Sequence, residues 1–578
     1  MRIMLVTFRF GKDIAGGAER YLWELMTRLA RRGHHVEIFT TCSLQMLRSP
    51  FGYMLWDNFF PEGGEEDNGV MVNRYLVRNP LPQRAHRLWR KLNALYLREE
   101  RKPEFASYLA ETLRGTGEHC FISGWYAHEQ WNDGQARWSQ KQAYFLVGGV
   151  DITGLRLEVS APLDEHLVLQ IPGVKPLSFE LDKGRQRRIK VSFSPRGSVT
   201  VGLKVPRTLR PPDDRRDLGV LIRRVSVQDG GIERDLDLSR GWDEFVESGP
   251  EEALGKALWR LAEAMPRRAS RFHKYVMGPN SPDMEREVRR AAPGFDIVIG
   301  SMAPMASLSL AAEAAGYAGK PFIALPLFHS RDPNHYYGHL YEAMQSARGV
   351  EANLPGIAGL MNEWGFNAFA VGPGFNLEEL LSEDIDGERF RREFGFNDRP
   401  LLLWVARKNA GKGYREAIAA LEYVRSRGCP AVLAMVGPDE DYLPVSGEGV
   451  HYLGSLPRGK VLDAYDACDV FIFPSLHESF CMVFGEAWLR GKPVLGNAYC
   501  AAARDHIDNG VDGYLCHDWR EYGQRALELL QNPDLAREMG GRGKNRVMVS
   551  RGWDRVVREL EAKLEKTAGS GPGRTAGT

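Results

Sequence analysis

Short apolar runs that alternate with helical segments constrain the fold of this chain more than any other feature. An apolar run bounded by turn residues predicts a buried strand. After residue 376, segments with helical spacing separate these runs, which predicts a doubly wound parallel sheet. The runs are RPLLLWVAR, CPAVLAMVGP, VHYLGS, DVFIFPS and KPVLGNA. Residues 376–566 are therefore predicted to form one Rossmann-like α/β domain.

A second domain of the same class is predicted in two separate parts, residues 1–117 and 249–375. The strand RIMLVTF leads into a loop with several glycines and then into a helix with apolar residues at helical spacing. The strand GHHVEIFTT completes a βαβ unit, and the buried strands DIVIGS and PFIALPLF resume the domain later. Two facing Rossmann-like domains leave a cleft in which a ligand can bind.

An all-β module is predicted between those two parts, over residues 118–248. Segments such as LRLEVSAP, HLVLQIPG and RIKVSFSPRG alternate apolar and polar residues, and turn residues recur about every 8–12 positions. This pattern is typical of a β-sandwich. Because a fold does not by itself give a function, glycan binding, spacing and oligomerisation all remain open for the insert.

Composition excludes several classes of function. The formal net charge is only +1, so no field of the whole protein indicates a nucleic-acid partner. The seven cysteines form no Cys-x-x-Cys pair, which predicts neither a zinc site nor a disulfide framework and is typical of a reducing compartment. No apolar segment has the length of a signal peptide core or a membrane span. A cytoplasmic protein is expected, with a disordered tail over 567–578.

Basic residues follow the first strand of the second domain, in the segment VARKNAGKGYREAI. Arg407 and Lys412 could stabilise the negative charge that develops on phosphate oxygens when a diphosphate leaves. A basic loop in solvent is the simpler interpretation of this segment taken alone. It is not a Walker A loop, because Tyr414 stands where such a loop requires Ser or Thr.

Two carboxylates lie in the segment LHESFCMVFGEAW, just after the strand DVFIFPS. Glu478 and Glu486 would face the crevice in which open α/β sheets bind ligands. An ionised carboxylate accepts two hydrogen bonds, which suits vicinal hydroxyl groups. The residues after Glu478 lead into a helix N-terminus, which favours anions. The alternative is a pair of carboxylates on a helix surface.

These segments resemble the donor site of family-4 glycosyltransferases, which have the GT-B fold and retain anomeric configuration. The resemblance implies that Arg407, Lys412 and Glu478 are catalytic, with Glu478 contacting the donor sugar. It assigns Glu486 to the nucleotide ribose. The resemblance also assigns to donor binding the three residues between Glu478 and the helix that follows it: Ser479, Phe480 and Cys481. Ala406 and Cys481 stand where the family usually has glycine, and Cys481 would be strained if that position needs a positive φ.

The first domain carries further parts of the same resemblance. Gly16 and Gly17 match a glycine pair that would let the backbone approach a donor closely, and a tight turn before a helix is compatible with that role. His329 follows the last apolar strand of this domain, where the family often places a catalytic histidine that reaches the donor sugar. A structural histidine is the alternative, and His335 and His339 lie nearby.

The resemblance implies a retaining hexosyltransferase that moves a sugar from a nucleoside-diphosphate sugar to a glycan or lipid-linked acceptor. It places such an enzyme in bacterial surface polysaccharide synthesis, and no essential metal or other cofactor is expected. A sugar phosphorylase on the same fold is one alternative, but it would leave Glu486 without a role. A non-catalytic glycan-binding protein is the other.

Two further segments have competing interpretations. The basic stretch 81–102 could form an amphipathic helix that touches an anionic membrane from its inner face, or a solvated helix packed on its own domain. The Asp-Glu-Asp triplet at 439–441 matches a metal signature of the other major glycosyltransferase fold. Its position in a loop of the second domain favours a solvated turn.

Overall fold

The computed structural model describes residues 1–12, 14, 17–44, 46–48, 54–79, 84, 87–88, 102–131, 134–212, 214 and 216–569. The chain divides into two compact units. One unit comprises Met1–Trp89 together with Ser270–Thr578, and the other is Arg90–Ala269. The second unit contains the whole predicted insert, 118–248, and adds a helical segment on each side of it.

The chain opens with the predicted strand–helix–strand unit. Its elements are β1 (Arg2–Val6), α1 (Gly17–Arg31), β2 (His35–Thr41), β3 (Met46–Arg48), β4 (Met54–Trp56), β5 (Gly63–Asp67) and β6 (Val70–Tyr75). Strand β1 pairs in parallel with β2, and β2 pairs in parallel with β6. Helix α1 buries the four apolar residues whose spacing predicts it: Leu22, Leu25, Met26 and Leu29.

The second unit is built on β-strands. Its elements are α2 (Lys102–Thr112), β7 (His119–Trp125), β8 (Glu129–Trp131), β9 (Gly134–Ser160), β10 (Glu165–Gln170), β11 (Leu177–Leu181), β12 (Arg187–Lys204), β13 (Leu221–Asp229), β14 (Ile232–Asp235), α3 (Trp242–Ser248) and α4 (Glu251–Glu263). The eight strands form one connected sheet. The long strands β9 and β12 pair along most of their length, so the strands that pair with either half of β9 belong to the same sheet. Strand β7 pairs with the first part of β9 and β13 mainly with the second, and both parts share one apolar core.

The first domain then resumes. Its later elements are α5 (Arg267–Met277), α6 (Pro282–Ala291), β15 (Ile297–Ser301), α7 (Ala306–Ala318), β16 (Phe322–Leu325), α8 (Gly338–Ser346), β17 (Gly349–Glu351), α9 (Pro355–Glu363) and β18 (Ala368–Phe369). The sheet order is β18-β17-β16-β15-β1-β2-β6-β5, and only β5 is antiparallel to its neighbour. The predicted discontinuous doubly wound sheet is therefore confirmed, since β15 lies beside β1 after a long excursion of the chain.

The last domain has an all-parallel sheet. Its elements are α10 (Leu377–Leu380), α11 (Gly387–Glu393), β19 (Leu401–Val405), α12 (Tyr414–Ser426), β20 (Val432–Val436), β21 (Val450–Gly454), α13 (Arg458–Ala467), β22 (Val470–Phe473), α14 (Met482–Leu489), β23 (Val494–Asn497), α15 (Ala501–His506), β24 (Gly513–Cys516), α16 (Trp519–Gln531), α17 (Pro533–Ser550) and α18 (Trp553–Gly569). The order β21-β20-β19-β22-β23-β24 is that of a Rossmann fold, as predicted. Chain order reverses between β19 and β22, and ligands of such sheets bind at this switch point.

The C-terminal helix α18 returns to the first domain. Trp553, Val557 and Leu560 are buried in the same apolar core as Leu22 and Leu25 of α1. The stacked rings of Tyr21 and Trp553, with centroids 6.1 Å apart, lie at this contact. The chain therefore crosses twice between its two Rossmann-like domains, once after β18 and once before α18.

The sequence segments with a bearing on membranes are described only in part. Most of the basic stretch 81–102 lies outside the described residues, as does most of the predicted tail, of which only residues 567–569 are described, within α18. Over the part of the chain that the structure describes, no helix combines the length and apolar character needed to cross a bilayer.

A buried pair of histidines joins helices α5 and α8. The ring nitrogens His273 Nδ1 and His339 Nε2 are 2.8 Å apart, and His339 Nδ1 is 2.7 Å from Ser309 Oγ. His339 is only 6% exposed, and burial lowers its pKa from 6.5 to about 3. The same cause lowers the pKa of His273. Both rings are therefore neutral in the folded protein.

Acidification is expected to destabilise the fold through His339. The unfolded state binds a proton near pH 6.5 and the folded state only near pH 3, so stability is lost as pH falls through that window. Between about pH 7.5 and 5.5 the loss is about 1.4 kcal/mol for one such histidine. Urea unfolding of wild type and His339→Gln across this range measures the loss.

The His339→Gln variant should lose about 1.4 kcal/mol less than wild type over the same interval, because its side chain takes up no proton. His517→Gln is the matched control, since His517 is exposed and pairs with Glu521 at the surface. Parallel pH profiles for wild type and His339→Gln would contradict the assignment.

Candidate functional site

The two segments predicted to bind a ligand meet at the switch point of the last sheet. Lys412 follows β19 and Glu478 follows β22, which are neighbouring parallel strands. Lys412 Nζ donates to Glu478 Oε1 at 2.5 Å and to the His477 carbonyl at 3.3 Å. Ser475 Oγ donates to the same carboxylate oxygen at 2.7 Å. A lysine, a serine and a carboxylate therefore converge at the carboxyl ends of the two strands.

The backbone before α12 places Lys412 against the second segment. Gly413 has φ +68°, and a Cβ at this position would lie 2.5 Å from the Pro474 carbonyl oxygen. Only glycine combines this left-handed conformation with so close an approach. The glycine after Lys412 is thus explained by packing of one loop on the other, in addition to any charge that Lys412 supplies.

Arg407 has a partner that sequence analysis did not identify. Its Nη1 donates to Glu440 Oε1 at 2.8 Å, and Asn409 Nδ2 donates to the other oxygen of Glu440 at 2.7 Å. The Arg407 side chain remains 51% exposed. Arg407 therefore lies at the open edge of the loop, held by a carboxylate that an anionic ligand would have to replace or share.

The solvated turn predicted for the Asp-Glu-Asp triplet is wrong. Lys408 is completely buried, and its ammonium pairs with Asp439 at 2.7 Å and with Asp441. Lys408 Nζ also donates to the Leu443 carbonyl at 2.8 Å. The physical reason is that a buried ammonium needs carboxylate partners, and the triplet supplies them. The three acidic residues clamp the basic loop from one side.

Electrostatics keep Lys408 charged despite its burial. Desolvation acts to lower its pKa, but hydrogen bonds to Asp439 and Asp441 act more strongly together and raise it. The pKa of Asp441 is lowered, because its bonds to Lys408, to the Leu443 amide and to Tyr414 outweigh desolvation. The clamp is thus an ion pair at neutral pH.

Glu486 is ion-paired on the second turn of α14. Its carboxylate lies 2.7 Å from Arg458 Nη2, and Arg458 Nε lies 3.1 Å from Glu379. Glu379 also pairs with Arg20 of the first domain at 2.5 Å. Burial opposes the charge on Arg458, yet the two carboxylates raise its pKa. Alternating charges therefore connect Glu486 to the opposite domain.

The residues between the two glutamates form the entrance to α14. Ser479 is half-buried, and Phe480 is buried against His506 with ring centroids 4.5 Å apart. Cys481 precedes the helix with φ 60° and ψ 57°, in the left-handed region. The position where the resembling family has glycine therefore does need a positive φ, and cysteine carries about 1 kcal/mol of strain there.

The N-terminus of α1 lies beside the same helix. Gly17 begins α1, and a Cβ at Gly17 would lie 3.7 Å from Met482 Cγ at the start of α14. Gly17 is thus placed beside the predicted donor segment, whereas Gly16 lies outside the described residues.

His329 lies four residues beyond β16 and is half-buried. Burial, followed by the charges of His335 and Lys412, lowers its pKa well below the ordinary value. Its ring stacks on that of His335, with centroids 5.0 Å apart. The neutral imidazole therefore lies within electrostatic reach of the Lys412–Glu478 pair, although it belongs to the other domain.

Sequence analysis missed the partners of the predicted residues. Ser475 binds Glu478 three residues later, in a segment that precedes the predicted helix. Glu440 binds Arg407, and Arg458 binds Glu486, across gaps in sequence that no helix or strand period connects. Only Lys408 and the acidic triplet had a usable signal, since a charged residue next to Arg407 and three acidic residues in one turn can pair.

Comparison with known proteins matches part of the last domain to one protein family. Residues 386–546 match the family model of glycosyl transferases group 1, and this range contains Arg407, Lys412, Glu478 and Glu486. The chain is 30% identical to trehalose synthase of Pyrococcus horikoshii over 166 residues, which are 26% of this chain and 40% of that protein.

A second relative is an N-acetylgalactosaminyltransferase of Campylobacter jejuni that acts on N,N'-diacetylbacillosaminyl-diphospho-undecaprenol. It is 26% identical over 148 residues, 24% of this chain and 38% of that protein. The chain thus matches about two-fifths of the length of these relatives.

Solved structures with a similar fold are more distant. Sucrose-phosphate synthase of Thermosynechococcus elongatus has a TM-score of 0.48 at 12% identity and covers 98% of each chain. HepE of Anabaena in complex with UDP and glucose has a TM-score of 0.42 at 19% identity, covering 49% of this chain and 81% of that chain. Since both scores are below 0.5, the fold assignment stands on the strand order described above.

Removing the buried ammonium is expected to destabilise the last domain. Lys408→Met leaves Asp439 and Asp441 without their shared partner, which should lower the free energy of unfolding by about 3 kcal/mol. Lys460→Met is the matched control, because Lys460 pairs with Glu393 at the surface and should cost less than about 1 kcal/mol. Denaturant unfolding measures both, and equal effects would contradict the role of Lys408.

Proposed function

We propose that this protein is a retaining, family-4-like glycosyltransferase that transfers a hexose from a nucleoside-diphosphate sugar to a glycan or lipid-linked acceptor. The observation that carries the proposal is the 2.5 Å contact between Lys412 and Glu478. It joins two loops, each of which resembles part of a donor site, at the switch point of a Rossmann sheet. The match of residues 386–546 to the glycosyl transferase model supports the same conclusion.

The leaving diphosphate would be stabilised by fixed positive charge. Lys412 lies at the carboxyl end of β19 and Arg407 lies at the open edge of the same loop, so both can reach phosphate oxygens. The amide groups at the start of α14 add the partial positive charge of a helix N-terminus. These groups can replace a metal ion in neutralising the leaving group, so we propose that no metal is essential.

The two glutamates would bind the neutral parts of the donor. Glu478 is oriented by Lys412 and Ser475 and can exchange one of these partners for sugar hydroxyls. Glu486 would accept hydrogen bonds from the ribose while Arg458 holds its carboxylate in place. The neutral imidazole of His329 would bind the sugar from the opposite domain. The acceptor hydroxyl would then attack the face from which the diphosphate leaves.

The acceptor and the cellular role are proposed from one relative and from the sequence. The name of the Campylobacter relative includes a lipid diphosphate, and it matches about a quarter of this chain. We propose a role in bacterial surface polysaccharide synthesis, in the cytoplasm or at the inner face of the membrane. The basic stretch 81–102 would provide a peripheral membrane contact.

Thermal unfolding with nucleotides tests the donor site. Wild type should be stabilised by one of UDP, GDP or ADP, because a ligand at a hundred times its dissociation constant adds about 2.7 kcal/mol. Arg407→Ala should lose most of this shift, since Arg407 would contact the phosphates. Arg427→Ala is the matched control, because Arg427 lies exposed at the far end of α12.

The other outcomes of that measurement contradict the proposal in different ways. Stabilisation by inorganic phosphate or a sugar 1-phosphate alone would favour a sugar phosphorylase. No response to any of these ligands, in a protein that remains folded, would remove the donor-site assignment and favour a glycan-binding protein.

Substitutions of the two glutamates are expected to change different kinetic parameters. Glu478→Gln should lower kcat with the donor, because a hydrogen bond to a charged group contributes about 1.5–3 kcal/mol, a ten- to hundredfold effect. Glu486→Gln should instead raise the donor KM and weaken the thermal shift by the nucleoside diphosphate. Steady-state kinetics with Glu422→Gln as an exposed control on α12 measures the split. The same effect on kcat in both variants would count against separate roles.

A further inference from the structure

Three potential metal ligands lie together on the segment after β16. His329, Asp332 and His335 each offer one ligand atom, and these atoms all lie within 4.8 Å of one another. The segment includes a single 3-10 turn over Pro333–His335, which brings the three side chains to one side. Two imidazole nitrogens and one carboxylate oxygen form a donor set that zinc and similar transition metals prefer.

The local hydrogen bonds hold these side chains in place. Asp332 Oδ1 accepts from the backbone N–H and from the side-chain amide of Asn334, both at 2.9 Å, which leaves Oδ2 for an ion. The His329 backbone N–H donates to His335 Nδ1 at 3.2 Å, and the two rings stack. A bond of this length is weak, so an ion can replace it at small cost.

The surrounding charges permit a cation at this position. Lys412 and Arg407 are the nearby positive groups that act on His329. Each is paired, Lys412 with Glu478 and Arg407 with Glu440, so their charges are largely neutralised. Asp332 then supplies a negative charge for the ion. His477, which follows β22, also acts electrostatically on Asp332, and its buried Nδ1 has no hydrogen-bond partner among the described residues.

We propose that His329, Asp332 and His335 bind one divalent transition-metal ion of the zinc class, with a fourth position open to water or His477. The ion is not required for the transfer proposed above. It inhibits, because it occupies the His329 nitrogen that would otherwise contact the donor sugar. The inhibition rests on the proposed function, whereas the binding of the ion does not.

Titration of the metal-free full-length protein with Co²⁺ and Zn²⁺ tests the binding. Wild type should take up about one ion per chain, with the intense visible absorption of tetrahedral Co²⁺. Asp332→Asn, which keeps the shape of the side chain, and His335→Gln should each weaken binding by at least about 10–100-fold. His517→Gln is the control for a histidine–carboxylate pair at the surface and should bind as wild type does.

Retention of full affinity in Asp332→Asn, or its loss in His517→Gln, would overturn the site. So would absence of Co²⁺ absorption in wild type. Circular dichroism identifies a variant that fails to fold. If His335→Gln fails to fold, Asp332→Asn provides the test.

Donor kinetics separate this proposal from the proposed function. Zn²⁺ should raise the donor KM of wild type and should no longer do so in Asp332→Asn. If nucleotides stabilise the protein but Co²⁺ does not bind, the metal site is wrong and the transferase stands. If Co²⁺ binds but no nucleotide does, the transferase proposal is wrong and the metal site stands. Binding of Zn²⁺ without any change in donor KM would overturn the inhibition alone.

Discussion

The buried ammonium of Lys408 fixes the geometry on which the rest of the candidate site depends. A charge without contact to water is stable only with charged partners nearby, and Asp439 and Asp441 provide them. Since these two residues flank Glu440, the carboxylate of Glu440 is brought to Arg407 and Asn409. One buried charge thus ties the loop after β20 to the loop after β19. The position of Arg407, which would contact a phosphate, therefore depends on the ion pairs of Lys408, in which Arg407 takes no part.

Strand order then brings the second half of the site to the first. Because β22 lies directly beside β19, the loop that carries Glu478 faces the loop that carries Lys412. The opposite domain is joined through a different chain of charges, in which Arg20 and Arg458 share Glu379. Occupation of Glu486 by a ligand would act directly on Arg458, and through Glu379 on a helix of the first domain. The end of the site that holds Glu486 is therefore linked through ion pairs to the first domain.

The sequence predicts strands and their class well, because burial on both faces leaves a short apolar run that few other structures produce. It predicts β19, β20 and β22 and the identity of the residues that follow them. It does not reveal β24, whose four residues Gly513–Cys516 carry no extended pattern. Nor does it reveal Glu440 or Arg458 as partners, since contacts between loops of different strands have no period in sequence. Only the strand order, which a sequence does not state, places these loops side by side.

Cys481 occupies a position at which the family that this segment resembles usually has glycine. The left-handed conformation at this position favours glycine, so cysteine raises the energy of the folded state locally. The same side chain is only 3% exposed and is hydrogen-bonded to Cys500, and burial raises the pKa of its thiol. Glycine would remove the strain but would also lose this packing and restore freedom to the unfolded chain. The two terms oppose each other, so the turn into α14 keeps its left-handed shape with cysteine in place of glycine. Packing of the Cys481 side chain thus offsets its unfavourable backbone conformation. The N-terminus of α14 keeps a shape that could bind an anion.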